Sequence, residues 1–221
     1  MKELSLNILD ITENSVKAKA SLVEILIEET DDLLTIRITD DGTGMTDEVL
    51  ASVRNPFYTT RTTRKVGVGI PFLQIAAEQT GGSLRIESKH IDSYPEAHGT
   101  TVTAEFVKSH IDFTPLGDTV STVVTLIQGH PDTDFVFIHR LRGGCVSLDT
   151  RELRTVLEDV PLDTFEVLLW IKENLTQIGI MFLAVLVHFI AIIIYYSDMS
   201  VLDNVHNQFI QMFFQLLLYM P

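Results

Sequence analysis

The chain has a single cysteine, Cys145, so no internal disulfide can form, and such usage fits a reducing compartment. No nucleophile motif surrounds Cys145, which reads as an inert thiol rather than a catalytic one. Basic residues are scarce: 16 Lys and Arg stand against 30 Asp and Glu, for a formal net charge of −14. That balance argues against general affinity for nucleic acid or an anionic lipid surface, both of which need a basic footprint. The amino terminus lacks the basic-then-apolar pattern of a signal peptide. No repeat or low-complexity tract occurs. There is no G-x-x-x-x-G-K-[ST] phosphate loop, and Gly67-Val68-Gly69 lacks the third glycine and the preceding strand of a dinucleotide fingerprint.

What is present begins with an amphipathic pattern over residues 3–19. Leu4, Ile8, Ile11 and Ser15 form one stripe, and Asn7, Asp10 and Asn14 another. Alternating runs at 22–28 and 33–39 predict two strands joined by a turn at Glu29 to Asp32. A short helix is expected at 46–53 with Thr46 as its cap. A longer one has Pro71 in its first turn and Gly81-Gly82 at its end. Strands near 83–88 and 100–107 complete the order helix-strand-strand-helix-helix-strand-strand. Hairpin-joined strands with helices on one face imply a two-layer α/β sandwich.

The chain's 221 residues allow one large domain, or one domain plus an appendage. Its character changes near residue 111. A helix at 116–128, a hairpin of 134–140 with 144–148, and helices at 149–158 and 163–177 follow. Residues 178–196 then carry no Asp, Glu, Lys or Arg, a run long enough to cross a hydrocarbon layer of about 30 Å. Tyr195 and Tyr196 stand where interfacial aromatics belong, and Lys172 precedes the run, which would place the amino-terminal part in the cytoplasm. The competing reading is a buried helix in a dimer interface. Residues 205–221 are apolar with interspersed Asn and Gln, a second marginal or interfacial helix.

Three segments carry chemistry. In the first helix, Asn14 offers a carbonyl oxygen suited to Mg²⁺ when phosphates and water supply the other ligands. Asp10, one turn earlier, could accept a proton from an attacking water or hydroxyl. Read from this helix alone, both are ordinary surface polarity. In the second, Asp40 ends a strand where a carboxylate can accept from the exocyclic amine of adenine. Gly42 and Gly44 let the backbone approach a ligand, and Met45 would line an apolar base pocket. A simple Asp-Gly turn explains neither the second glycine nor Met45. In the third, Gly67 and Gly69 lead into the Pro71 helix, whose exposed N–H groups and dipole favour an anion. Thr59, Thr60, Thr62 and Thr63 add hydroxyls. Arg54, Arg61, Arg64 and Lys65 concentrate positive charge there in an otherwise acidic protein.

ENS, DDGTGM, PFYTTR, GVGI and the later HGTT (His98 to Thr101) resemble, in order, the motifs of the Bergerat-fold ATPases. That superfamily contains histidine kinases, gyrases, a heat-shock chaperone and mismatch-repair ATPases. The resemblance covers about residues 1–108. Residues 1–177 together are similar to small stand-alone ATP-binding proteins of anaerobic bacteria, related to the sensor-kinase catalytic domain. It implies an α+β fold: a mixed, mostly antiparallel sheet with helices on one face, followed by an α/β extension at 109–177 and an apolar helical tail divided into 178–196 and 197–221. It implies ATP and Mg²⁺ as ligands, with Asn14 on the metal, Asp40 on the adenine amine, and Gly42, Gly44 and Met45 at the base-side turn. Phe57 to Val66 would form a nucleotide lid that includes Thr60, Arg61 and Lys65. Gly67, Val68, Gly69 and Ile70 would face phosphate, and Thr100 or Thr101 would place a hydroxyl beside the base.

The chain departs from the family pattern in places. The position four before the metal-binding Asn is usually Glu in the hydrolytic and serine-kinase branches; here it is Asp10, one methylene shorter. Ile70 replaces a usual leucine, and Pro71 is less usual. Only six residues precede Asn7, and all seven His lie at position 90 or later, so self-phosphorylation in the sensor-kinase manner is not expected. The expected function is therefore a Mg-ATP-dependent ATPase or protein kinase acting on a separate partner, with Asp10 as base. The alternatives are a non-catalytic ATP-sensing module that regulates a partner, or a divergent sensor-kinase fragment tethered by its tail. Partners expected are ATP, a separate protein and a second copy of the chain, but no nucleic acid.

Overall fold

The computed structural model describes residues 3–53 and 69–176. Helix α1 (Leu4–Lys17) opens the fold and buries the predicted stripe of Leu4, Ile8, Ile11 and Ser15. Its first amides have no intrahelical acceptors. Pro115 and Leu116 supply them, taking hydrogen bonds from Leu4 N at 2.9 Å and Ser5 N at 2.7 Å. Strands β1 (Leu22–Glu29) and β2 (Leu33–Asp40) follow, then helix α2 (Asp47–Ser52), whose cap Thr46 accepts from Val49 N. Helix α3 (Gly69–Gln79) has Pro71 in its first turn, as the sequence predicts. Strands β3 (Ser83–Lys89) and β4 (Gly99–Val107) come next.

The chain then adds helix α4 (Thr119–Gly129), the hairpin β5 (Asp134–Leu141) and β6 (Gly144–Asp149), helix α5 (Thr150–Leu157), and a last helix, α6, over residues 165–176. α4 starts later than the expected 116. Leu116 gives its carbonyl to α1 instead, and Asp118 caps the helix by accepting from Ser121 N at 2.8 Å.

All six strands form one sheet in the order β3-β4-β2-β1-β5-β6. Every neighbouring pair is antiparallel except β1 with β5, which run parallel with Ile25 opposite Phe137. The sheet is mixed and mostly antiparallel, as expected. The hairpin of the 109–177 segment extends the sheet rather than forming one of its own. Alternation puts Val23, Ile25, Ile27, Leu34, Ile36, Ile38, Val102, Ala104 and Phe106 on one face, where they share a core with the buried residues of α1, α3, α4 and α6. The other face carries Glu24, Arg37, Arg85, Glu87 and Glu105, all exposed. This is the two-layer α+β arrangement that the hairpin pattern implied.

α5 is fastened by the buried Thr150, whose hydroxyl accepts from Phe135 N at 2.8 Å and donates to Asp134 at 3.0 Å. Among the described residues no helix is long and apolar enough to cross a membrane; the apolar run 178–196 and the tail 197–221 lie outside them.

Candidate functional site

The carboxyl end of β2 meets the carboxyl-terminal half of α1 and the first residues of β4. Asp40, last in β2, shares the buried face with Ile36 and Ile38 because strand side chains alternate. Its Oδ2 accepts from Ser15 Oγ at 2.6 Å, while Oδ1 accepts from Gly42 N at 3.0 Å and Thr100 N at 3.2 Å. A carboxylate offers about four acceptor positions. Among the described residues three of Asp40's are filled, which leaves one on Oδ2 for an outside donor.

The turn beyond Asp40 is held as tightly. Asp41 fixes the start of β1, accepting from Ser21 N at 2.7 Å, Leu22 N at 2.9 Å and the Ser21 hydroxyl. Burial works against the Asp41 charge, but these hydrogen bonds outweigh it and hold the carboxyl below its usual range. Thr43 donates its amide to Ala18 O at 2.8 Å and accepts from Ile91 N at 2.9 Å. Met45 N donates to Ser88 Oγ at 2.8 Å, and the Met45 side chain packs half-buried on the core. Gly44 has φ +67°, and a Cβ there would lie 2.0 Å from Lys89 O, so this close crossing of backbones admits only glycine.

The sequence left Thr100 and Thr101 as alternatives, and strand alternation separates them. Thr100 lies opposite Asp40 on the buried face and shares a 2.8 Å hydroxyl contact with Ser88. Thr101 points to the other face and donates to Thr39 Oγ1 at 3.2 Å. Thr100 therefore joins the Asp40 cluster, and Thr101 does not.

The third segment enters through Gly69, at the start of α3. A Cβ on Gly69 would lie 3.3 Å from Asp10 Cβ, 3.8 Å from Ile11 Cδ1 and 3.9 Å from Asn14 Nδ2. The amino-terminal end of α3, whose first amides have no intrahelical acceptor, thus abuts the helix face that carries Asp10 and Asn14. Ile70 is buried beneath it; Asp10 is exposed and Asn14 half-buried. Asn7, on the same stripe, is 2% exposed, and its Nδ2 has no hydrogen-bond partner among the described residues, so it is no surface group. Phe57, Thr60, Arg61, Lys65, Gly67 and Val68 lie outside the described residues, as does the whole lid segment.

Three participants escaped the sequence reading. Ser15 sat on the apolar stripe, and its signal was a hydroxyl among Leu4, Ile8 and Ile11 that needs a buried acceptor. Ser88 gave no local signal, and His98, though first in the HGTT motif, had no role assigned to it. They reach the turn only through the pairing of β3 with β4 and the path of the chain between them.

A polar cluster thus lies at the end of a mixed sheet, beside a helix amino terminus, on a two-layer fold. Residues 2–110 match the model of the family described as histidine kinase-, DNA gyrase B- and HSP90-like ATPase, and the chain belongs to that superfamily through this domain. It is similar to an NtrY-like sensor histidine kinase of Rickettsia conorii, 25% identical over 113 residues, which are 51% of this chain and 18% of that protein. It is also similar to sporulation kinase C of Bacillus subtilis, 31% identical over 91 residues, 40% of this chain and 20% of that protein. The chain thus spans about a fifth of the length of these curated relatives. Among solved structures, the MutL ATPase domain of Aquifex aeolicus complexed with ADP matches with a TM-score of 0.48 and 15% identity, covering 80% of this chain and 70% of that one.

Proposed function

We propose that residues 3–110 bind Mg-ATP and that the chain uses it to hydrolyse ATP or to phosphorylate a separate protein. The observation that carries this reading is the Asp40 carboxylate, with three acceptor positions filled by Ser15, Gly42 and Thr100 and one left open among the described residues. A single open acceptor on a fixed carboxylate suits one N–H of an exocyclic amine, as adenine has and hypoxanthine lacks. Gly42, Gly44 and Met45 form the wall on the base side, and Thr100 adds its hydroxyl.

At the other end, the Asn14 carbonyl is a hard oxygen suited to Mg²⁺, and Gly69 packs closely against the same side chain, a Cβ there lying 3.9 Å from Asn14 Nδ2. These residues fit the metal. When bound, Mg²⁺ would neutralise phosphate charge, and the α3 amino terminus would add its dipole. Thr60, Arg61, Lys65, Gly67 and Val68 are the further phosphate contacts in this reading. Asp10, exposed one turn before Asn14, is the group that would take a proton from water or from a hydroxyl of the partner.

A second reading is an ATP sensor without turnover. It is favoured by the grip of the 109–177 segment on α1, through Pro115 and Leu116 at its start and through His130 Nε2 to Glu13 at 2.7 Å, beside Asn14. In either reading the domain works in the cytoplasm, away from nucleic acid given the charge of −14, with a membrane anchor at 178–196 suggested by hydropathy alone.

Calorimetry with Mg-ATP, together with phosphate release and γ-labelled transfer in a lysate, tests the proposal. Asp40→Ala should cost at least 100-fold in ATP affinity, about 2.7 kcal/mol, and unchanged affinity sinks the site. Asp10→Asn should abolish turnover while affinity persists. Wild-type protein that binds ATP but neither releases nor transfers phosphate with any partner supports the sensor.

A further inference from the structure

His98 stands just before β4, outside the residues assigned to the nucleotide above. Its Nδ1 lies 2.6 Å from the carbonyl oxygen of Gly42. A carbonyl carries no hydrogen, so the ring nitrogen must donate, which fixes the Nδ1–H form. Gly42 is buried, and its own amide donates to Asp40 Oδ1 at 3.0 Å. One residue beyond His98, Gly99 has φ +130°, and a Cβ there would fall 2.0 Å from Asp40 O. Thr100 N then donates to Asp40 Oδ1. His98, Gly99 and Thr100 therefore run along the Asp40–Gly42 turn, each fitted to it in a different way.

The other end of the same connection also holds the turn, since Ile91 N donates to Thr43 O at 2.9 Å. The peptide between Gly42 and Thr43 is thus fastened through both its carbonyl, by His98, and its amide, by Ala18 O at 2.8 Å. Gly42 has no side chain to steady it, and without the His98 bond its carbonyl would be a buried acceptor with no partner. The peptide would then be held by its amide alone, and the turn that carries the Gly42 amide to Asp40 Oδ1 would loosen.

We propose that His98 is a positioning residue for base recognition: its Nδ1–H locks the Gly42 carbonyl and thereby aims the open Oδ2 acceptor of Asp40 at an exocyclic amine. This rests on the ATP reading above. The discriminating pair is ATP and inosine triphosphate, which differ in whether position 6 carries that amine. An aiming role affects ATP alone; a purely structural role affects both nucleotides.

The experiment is calorimetric titration of the full chain and of His98→Ala, His98→Asn and His98→Gln with each nucleotide in Mg²⁺, with urea midpoints recorded beside them. Asn carries its amide nitrogen as many bonds from Cα as Nδ1 of His, whereas Gln places it one bond further. Wild type should prefer ATP to inosine triphosphate. His98→Ala and His98→Gln should each lose about tenfold in ATP affinity and about twofold or less for inosine triphosphate, and His98→Asn should return within about threefold of wild type. Equal losses for both nucleotides, wild-type ATP affinity in His98→Ala, or a folded His98→Asn no better than Ala would overturn the proposal. If His98→Ala fails to fold, the Asn and Gln variants decide it by the same criterion. A wild type that binds no ATP removes the ATP reading itself, whereas ATP binding that ignores His98 removes this proposal alone.

Discussion

At the base end of the site, the turn from Asp40 to Met45 has its hydrogen-bonding groups engaged from four separate segments: Ser15 and Ala18 near the end of α1, Ser88 and Ile91 around the end of β3, His98 before β4, and Thr100 within it. At the metal end, the described residues amount to one helix face, with Asp10 exposed on it, and the first glycine of α3 set against that face. In the proposed reading, the base end is a receptor that the fold holds in place before any ligand arrives. In that reading, the metal and proton chemistry falls to Asn14 and Asp10 on one helix face. Preorganisation of this kind puts recognition in the fold and leaves chemistry to the assembled complex. Binding and turnover should therefore respond separately to mutation.

The largest expected effect comes from pressing on the base end. Gly99→Ala combines a φ of +130° with a Cβ 2.0 Å from Asp40 O, so β2 and β4 would have to separate. Strain and overpacking together should cost about 3–5 kcal/mol of unfolding free energy in urea. Asp10→Asn, exposed at the metal end, should stay within about 0.5 kcal/mol of wild type. Similar losses for the two would break the comparison.

Next in size is Ser15→Ala. Its hydroxyl, buried on α1, donates to Asp40 Oδ2 at 2.6 Å, and a hydrogen bond to a charged group contributes about 1.5–3 kcal/mol. Stability in urea should fall by about 2 kcal/mol. ATP affinity should fall too, because Oδ2 is the oxygen with the open position. A Ser15→Ala protein that is less stable but binds ATP normally would move the base contact away from Oδ2.

Most of this architecture was legible in the residues, for identifiable reasons. The α1 stripe, the period-two strands and the Thr46 and Pro71 helix starts are local patterns, and the structure places each element within a residue or two of its expected bounds. Asp40 and the glycines after it were legible because a carboxylate at a strand end and a doubled glycine have few other uses. Non-local facts were not legible. The parallel pairing of β5 with β1 depends on where the chain travels after residue 111, and periodicity is silent on that. Ser88 has no distinguishing neighbours in sequence, and the HGTT motif contains His98 without telling what its ring touches; only the β3–β4 register brings both to the turn. The choice of Thr100 over Thr101 required knowing that Asp40 pairs with Thr100.

Acid should sharpen the contrast further. Asp41, whose ordinary value is 3.8, is held lower in the folded protein by Ser21 and Leu22 despite its burial. Glu13, held down by its hydrogen bond from His130, and Glu29, held down against its burial by Lys108 and His139, lie below their ordinary 4.5. With the folded value beneath the unfolded one, the unfolded chain takes up protons first, so this stability is complete at neutral pH and is lost as pH falls through the folded values. Urea midpoints at pH 7, 5, 4 and 3 should be level at first and then drop. Asp41→Asn should lower the midpoint at pH 7 and flatten the decline below about pH 4, because Asn keeps the shape but has no proton to gain.

The smallest effect is expected where the 109–177 segment meets the metal helix. His130 Nε2 and Glu13 Oε1 lie 2.7 Å apart with side chains 25% and 33% exposed, so solvent weakens the contact. Pairs this open contribute about 0.2–1 kcal/mol, and His130→Ala should lower stability by no more than that. Its value lies in the second readout. Glu13 precedes Asn14 on α1 but projects about 100° away around the helix, so losing its partner should leave the Asn14 carbonyl where it is. ATP affinity within about twofold of wild type would leave the metal end independent of the segment that grips α1. A larger change, with the urea midpoint nearly unmoved, would show α1 carrying information between the nucleotide and that segment. That is the behaviour a sensor requires and a simple hydrolase does not.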